Sequence, residues 1–158
     1  MIRLMIDGWS QDLKFSASHF IPGHEKCGRL HGHTYAVSAI IEGTQDKKGI
    51  VVDFISLKDA IRKICDRFDH MVILPKKSDL MNITEKKKSV TVNSDNKKYQ
   101  FPIEDVILID VKVPSAEELA KYILKSLLNE LKLPQSISTI EICVEEGKGQ
   151  GAWARETI

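Results

Sequence analysis

CGRLHGHTYAVSAIIEG, residues 27–43, carries the reading of the fold. From His31 onward its odd positions are His33, Tyr35, Val37, Ala39 and Ile41. A strand turns alternate side chains to one face. The spacing therefore predicts a long strand over 31–43, with two imidazoles at its start and apolar side chains beyond them. Just upstream, LKFSASHF (13–20) puts Leu13, Phe15, Ala17 and His19 on one parity. It reads as a second strand, preceded by a short one at IRLMI (2–6).

Beyond the turn GTQDKKG and the short apolar IVVDF, the period changes. Leu57, Ala60, Ile61, Ile64, Cys65 and Phe68 follow helical spacing, with Ser56 as the expected N-cap. A second helix opens on Ser115 and Glu118, an S-x-x-E capping box, and carries an apolar stripe from Leu119 to Leu131. STIEICVEE (138–146) alternates again, with Ile140, Ile142, Val144 and Glu146 in phase, and GAWARET reads as a last strand. Strands, two helices, then strands predict an α+β domain: an antiparallel β-sheet with two helices packed on one face. One domain is expected over 1–158, with a lysine-rich insertion at about 75–105 that reads as a solvated surface segment in preference to a lid over a substrate. Within that insertion SVTVNSDNKKYQF reads as a hairpin around Asn93–Asn96.

Bulk composition excludes several functions. The formal charge is +1, so no global field recruits nucleic acid or an anionic membrane surface. No apolar run approaches the roughly 18 residues of a membrane span. MIRLMIDGWS does not read as a secretory signal. Three widely spaced cysteines, Cys27, Cys65 and Cys143, argue against a disulfide framework and for a reducing cytoplasm.

Chemistry concentrates in one place. Of five histidines, His19, His24, His31 and His33 fall within residues 19–33. His31 and His33 leave the same face of their strand, and His19 ends the strand expected to pair with it. Three imidazoles suit Zn²⁺ and leave an open position on the ion. Cys27 lies in the same loop, so spacing alone allows it to be a fourth ligand or a base; thiolate is the reactive form of cysteine. His24, in the loop PGHEK, has no regular geometry and is expected to be solvated. Cys65 lies on the apolar face of the first helix and belongs to the core. Cys143 is expected to do no chemistry. Asp69 and His70 are adjacent, so they can act together only in a turn, or with His70 reaching a third group. Glu146 points inward on an apolar face, where a carboxylate needs a ligand or a cation. Glu145 is the weaker alternative.

FSASHF, GHEKCGRLHGHTY, GIVVDF, FDHMVIL, PSAEELA and CVEE, in that order, resemble the 6-pyruvoyl-tetrahydropterin synthase / 6-carboxytetrahydropterin synthase family. The C-x₃-HGH spacing resembles its 6-carboxytetrahydropterin synthases; the pyruvoyl enzymes usually have a longer spacing. The resemblance implies the tunnelling fold and a homo-oligomer, commonly a hexamer, with active sites between subunits. It implies that His19, His31 and His33 are zinc ligands, Cys27 is the proton acceptor, and His70 with Asp69 is the relay. Glu146 would anchor a pterin, and Glu117 matches a further substrate-binding carboxylate. The implied substrate is 7,8-dihydroneopterin triphosphate. The implied products are 6-carboxy-5,6,7,8-tetrahydropterin, a precursor of 7-deazaguanine tRNA bases, with acetaldehyde and triphosphate. Lysines and Arg29 are candidates for the triphosphate. The rival readings are a pyruvoyl-type synthase and a non-catalytic zinc-stabilised module with Cys27 as fourth ligand.

Overall fold

The computed structural model describes residues 1–158. Strand β3 (His31–Gly43) is its axis. The strands β1 (Ile2–Ile6) and β2 (Lys14–His19) lie end to end along one side of it, pairing with residues 39–43 and 31–36 respectively. Its other side is taken by β9 (Ile137–Glu145), which pairs in turn with β10 (Gly151–Thr157). All four of these pairings are antiparallel, as the alternation predicts. Between β1 and β2 the chain presses close to β3: a Cβ on Gly8 would lie 2.5 Å from the Val37 carbonyl oxygen. Only glycine fits there.

The sheet is not antiparallel throughout. Beyond β2 come β4 (Met71–Pro75) and β8 (Val106–Ile109), joined by parallel β2–β4 and β4–β8 pairings. Neither strand was expected from the pattern. MVILP and VILI are short apolar runs, and a run without alternation carries no strand signal of its own.

The two helices cover the inner face. α1 (Phe54–Phe68) buries Leu57, Ile61, Ile64, Cys65 and Phe68, the predicted stripe. α2 (Ala116–Glu130) buries Leu119, Ala120, Ile123, Leu124 and Leu127. They close on Phe15, Tyr35, Val37, Ile140, Ile142 and Val144 in one core. Apolar burial of this kind is worth about 25 cal/mol per Å².

The helix starts refine the sequence reading. α1 begins one turn earlier than Ser56 predicts: Asp53 is the N-cap, and its carboxylate accepts from the Ile55 and Ser56 N–H groups. Asp53 has the extended backbone that a cap requires, and the buried Val51 and Val52 draw the chain into the core just ahead of it. Ser115 does cap α2, accepting from the Glu118 N–H. The reciprocal half of the capping box is missing, because the Glu118 carboxylate binds Lys121 instead.

Residues 82–102 form a second sheet, with strands β5 (Asn82–Glu85), β6 (Ser89–Ser94) and β7 (Lys97–Pro102) in that order. The predicted hairpin is present. Asp95 and Asn96 make its two-residue turn, both at positive φ (49° and 62°), which suits the twist of a tight hairpin. This sheet is not merely solvated. Met81, Val90 and Val92 pack with Phe20, Leu74 and Val106 in a small core of their own.

The Asp53 cap gives a pH test. Hydrogen bonds from Ser56 and Ile55 hold its carboxyl below the usual carboxylate range. A folded pKa below the unfolded one contributes stability above that range, lost as pH falls through the folded value. Asp53→Ala should therefore lower the thermal midpoint at pH 7, and the gap to wild type should narrow below about pH 4. Ser56→Ala should cost less at every pH. Differential scanning calorimetry of the three proteins checks both statements.

Candidate metal centre and its cavity

Register places three imidazoles together. His19 is directly opposite His31, and Ala17 opposite His33. The ring centroids of His19, His31 and His33 are 4.7–5.1 Å apart. Backbone carbonyls fix two of the tautomers. The His19 Nδ1–H donates to the Pro114 oxygen at 2.6 Å, and the His31 Nδ1–H donates to the Arg29 oxygen at 2.7 Å. Both Nε2 atoms are thereby left as bare acceptors, and they face each other at 3.1 Å. The third, His33 Nε2, is buried without any partner.

Two opposed lone pairs and a buried orphan nitrogen are the donors that a shared cation would satisfy. A tetrahedral ion held by imidazoles at about 2.1 Å sets its ligand nitrogens about 3.4 Å apart. The three ligand atoms here all lie within 4.8 Å of one another, so the donor set fits a metal. Burial pushes His19 down to about 4, and the neighbouring His31 and His33 add to this. It is neutral near pH 7, the form a metal binds. For the same reason its 3.7 Å approach to the Glu146 carboxylate is not an ion pair.

The histidines form one wall of a cavity of about 430 Å³. That is ample for a small molecule. Cys27, Glu117 and Glu146 line it too, so most of the residues singled out by sequence converge. Cys27 is half-buried and stands outside the three-histidine cluster. Larger cavities, of about 590 and 690 Å³, lie over the β6–β7 turn and between α2 and β10; neither is lined by a histidine or cysteine.

The choice between the two adjacent glutamates has a structural basis. Glu145 is committed: one oxygen accepts from the Trp9 indole N–H at 2.9 Å, the other from the Gly149 N–H at 2.8 Å. Glu146 follows β9 at the head of a tight turn, its N–H donating to the Gln150 oxygen, and its carboxylate faces the cavity. Its only close partner is His19.

Asp69 and His70 are elsewhere. Neither lines the cavity, and the His70 side chain is 85% exposed. They do form a prepared pair. Asp69 accepts from the Ser16 N–H and from His70 Nδ1–H at 2.8 Å, and the Ser16 bond holds its carboxyl below the usual range. His70 sits at φ 62°, unusual for a non-glycine residue. This turn bends the two adjacent side chains toward each other.

Sequence reasoning missed some of the lining. His24 is exposed, as expected, but it also borders the cavity, and its Nδ1 accepts the Cys27 N–H at 3.1 Å. It therefore shapes the turn that carries the thiol. Tyr35 shares the parity of His31 and His33, and that was its signal. Its hydroxyl is buried and unpartnered, and burial raises its pKa well above the usual phenol range, with Glu146 adding to the effect. Cys65 is core as expected, its thiol pushed up to about 12 by burial. Cys143 is buried and raised to about 11 for the same reason.

Equilibration with a divalent transition metal should load about one ion per chain. His33→Ala should abolish tight loading, and Cys27→Ala should keep it. Metal content after dialysis, by plasma mass spectrometry, checks this; a Cys27→Ala protein without metal would make the thiol a ligand.

Known proteins share this fold and sequence. The 6-pyruvoyl tetrahydropterin synthase family model matches residues 9–157. A Methanocaldococcus jannaschii protein, provisionally named a 6-carboxy-5,6,7,8-tetrahydropterin synthase, is 37% identical over 161 residues, covering 99% of this chain and 98% of its own. The 6-carboxy-5,6,7,8-tetrahydropterin synthase of Haemophilus influenzae is 32% identical over 140 residues, covering 84% and 89%. The 6-pyruvoyl tetrahydropterin synthase of Plasmodium vivax superposes with a TM-score of 0.91 at 35% identity, over 99% of this chain and 98% of that one. No helix here is long and apolar enough to cross a membrane. With the family model spanning nearly the whole chain and a relative matching it end to end, this chain belongs to the 6-pyruvoyl tetrahydropterin synthase family.

Proposed function

We propose that this protein is a zinc-dependent lyase. It converts 7,8-dihydroneopterin triphosphate to 6-carboxy-5,6,7,8-tetrahydropterin, with uptake of water and release of acetaldehyde and triphosphate. The observation that carries the reading is the meeting of a three-histidine donor set, a thiol outside it and a free carboxylate in one cavity.

His19, His31 and His33 would hold the zinc. When bound it supplies Lewis acidity to oxygens of the substrate side chain. The Glu146 carboxylate matches the amino-pyrimidine edge of a pterin, accepting two parallel N–H donors as it would from a guanidinium. Glu117, in the first turn of α2, lines the same cavity and would contact the bound substrate. Cys27 takes a proton from the substrate side chain. Its separation from the ligand cluster favours this over a non-catalytic zinc module. Asp69 holds the His70 Nδ1 proton and leaves Nε2 to exchange a proton. Because this pair is exposed and outside the cavity of its own chain, it serves the site of a neighbouring subunit in a homo-oligomer. The reading places the protein in the cytoplasm, supplying a precursor of 7-deazaguanine tRNA bases.

The pyruvoyl reaction, which eliminates triphosphate without releasing acetaldehyde, is the second reading. Solved neighbours at 33–35% identity carry that name. The C-x₃-HGH spacing and the names of the curated relatives favour the carboxy product.

Mass analysis of the products from zinc-loaded protein and dihydroneopterin triphosphate tests the choice. Acetaldehyde and the carboxy-pterin are expected. Triphosphate without acetaldehyde would establish the pyruvoyl reaction, and an unchanged substrate would exclude both. Glu146→Gln should raise KM by roughly 10- to 100-fold, the worth of a lost charge-assisted pairing, with metal content unchanged.

A further inference from the structure

Residues 21–30 carry Cys27 but belong to no strand or helix. Most of their hydrogen bonds are internal. Ile21 N–H donates to the Cys27 oxygen at 2.7 Å, Gly28 N–H to the His24 oxygen at 2.8 Å, and Arg29 N–H to the Lys26 oxygen at 3.2 Å. Gly28 is required by this compactness, since a Cβ there would lie 2.3 Å from the His24 oxygen. Such a loop keeps its own shape, but its placement over the cavity needs an external support.

That support is the turn of the second sheet. Asp95 Oδ2 accepts from the Gly23 N–H at 2.8 Å. Lys97 Nζ donates to the Gly28 oxygen at 3.2 Å. Apart from the bond that the adjoining His31 makes to Arg29, these two are the loop's hydrogen bonds to the rest of the protein. They grip it on both sides of Cys27, one through a donor and one through an acceptor. The grip has a firm base. Positive φ at Asp95 and Asn96 defines the turn, and Ser94 pairs directly with Lys97 across the two strands. Phe20, at the loop's entry and next to His19, packs with Val90 and Val92 and lies 4.9 Å from the Tyr99 ring.

We propose that the β6–β7 hairpin is a clamp for the Cys27 loop, with Asp95 and Lys97 as positioning residues that hold the thiol over the metal cavity. Neither touches the cavity itself. The inference rests on the reading of Cys27 as the reactive group. It gives the 82–102 segment a role at the site that its polar, lysine-rich sequence does not suggest. A base displaced by about an ångström can cost as much as a hundredfold in rate, so two side chains far from the chemistry can control it.

The test uses the zinc-loaded full chain. Cys65 and Cys143 are buried, so Cys27 is the thiol open to iodoacetamide. Asp95→Gly removes the acceptor at a position whose positive φ suits glycine, and Lys97→Met removes the donor while keeping the stem. The double variant should lower kcat by about tenfold with little change in KM. It should also raise Cys27 alkylation several-fold while Cys65 and Cys143 stay protected and the zinc is retained. Asp95→Asn, which keeps an acceptor for Gly23, should recover most of both readouts, and Lys97→Arg likewise. Lys98→Ala, one residue along without a bond to the loop, should behave as wild type. Wild-type kcat and wild-type Cys27 alkylation in the double variant would overturn the clamp. Exposure of all three thiols would show that the fold had been lost, and the single variants with their conservative partners then decide. A wild-type protein without turnover would refute the proposed reaction instead, and the alkylation rates would still decide the clamp.

Discussion

The arrangement on which the site depends is a pair of hydrogen bonds from histidine to backbone carbonyls. The Pro114 and Arg29 oxygens take the Nδ1 protons of His19 and His31 and leave two Nε2 lone pairs opposed at 3.1 Å. A cation between them would satisfy both. The two carbonyls come from different parts of the chain. Pro114 immediately precedes the cap of α2, and Arg29 lies near the end of the Cys27 loop. Any movement of the helix start or of the loop therefore rotates one of these imidazoles. The sheet supplies the histidines, while the helix and the loop supply their orientation. This is the outer-shell control that metal sites commonly need.

Much of this was legible in the sequence, for a physical reason. A strand's period of two is rigid, so His31, His33 and Tyr35 had to share a face, and His19 had to arrive from a paired neighbour. The same phase carried Glu146 inward, and both helix stripes were plain. What was not legible depended on long-range packing. β4 and β8 are apolar runs that become strands only by adding to the sheet in parallel. α1 is capped by Asp53 and not by Ser56, one turn earlier, directly after the buried Val51 and Val52. His24 was set aside as a loop residue, yet its ring accepts the Cys27 N–H. No local spacing encodes that bond.

Residues 145 and 146 show how strand geometry divides labour between identical side chains. At the end of β9 consecutive carboxylates must diverge. Glu145 turns toward Trp9 and Gly149, where both oxygens are satisfied and the 146–150 turn is held. Glu146 turns toward the cavity, with the buried Tyr35 hydroxyl and His19 nearby and no full hydrogen-bond complement. One glutamate is structural because its partners are complete. The other is available to a ligand because its partners are not.

The same contrast separates the three cysteines. Cys65 and Cys143 are buried, and their thiols are pushed up to about 12 and about 11, so they stay protonated and inert near neutral pH. Cys27 is kept out of the core by a loop that folds on itself, and out of the ligand cluster by the rigid strand that places the histidines. A thiol in that position must be held by something other than strand register. The second sheet, reaching across to Gly23 and Gly28, is the part of the molecule that does so. Its small apolar core, shared with Leu74 of β4 and Val106 of β8, anchors that element to the main sheet.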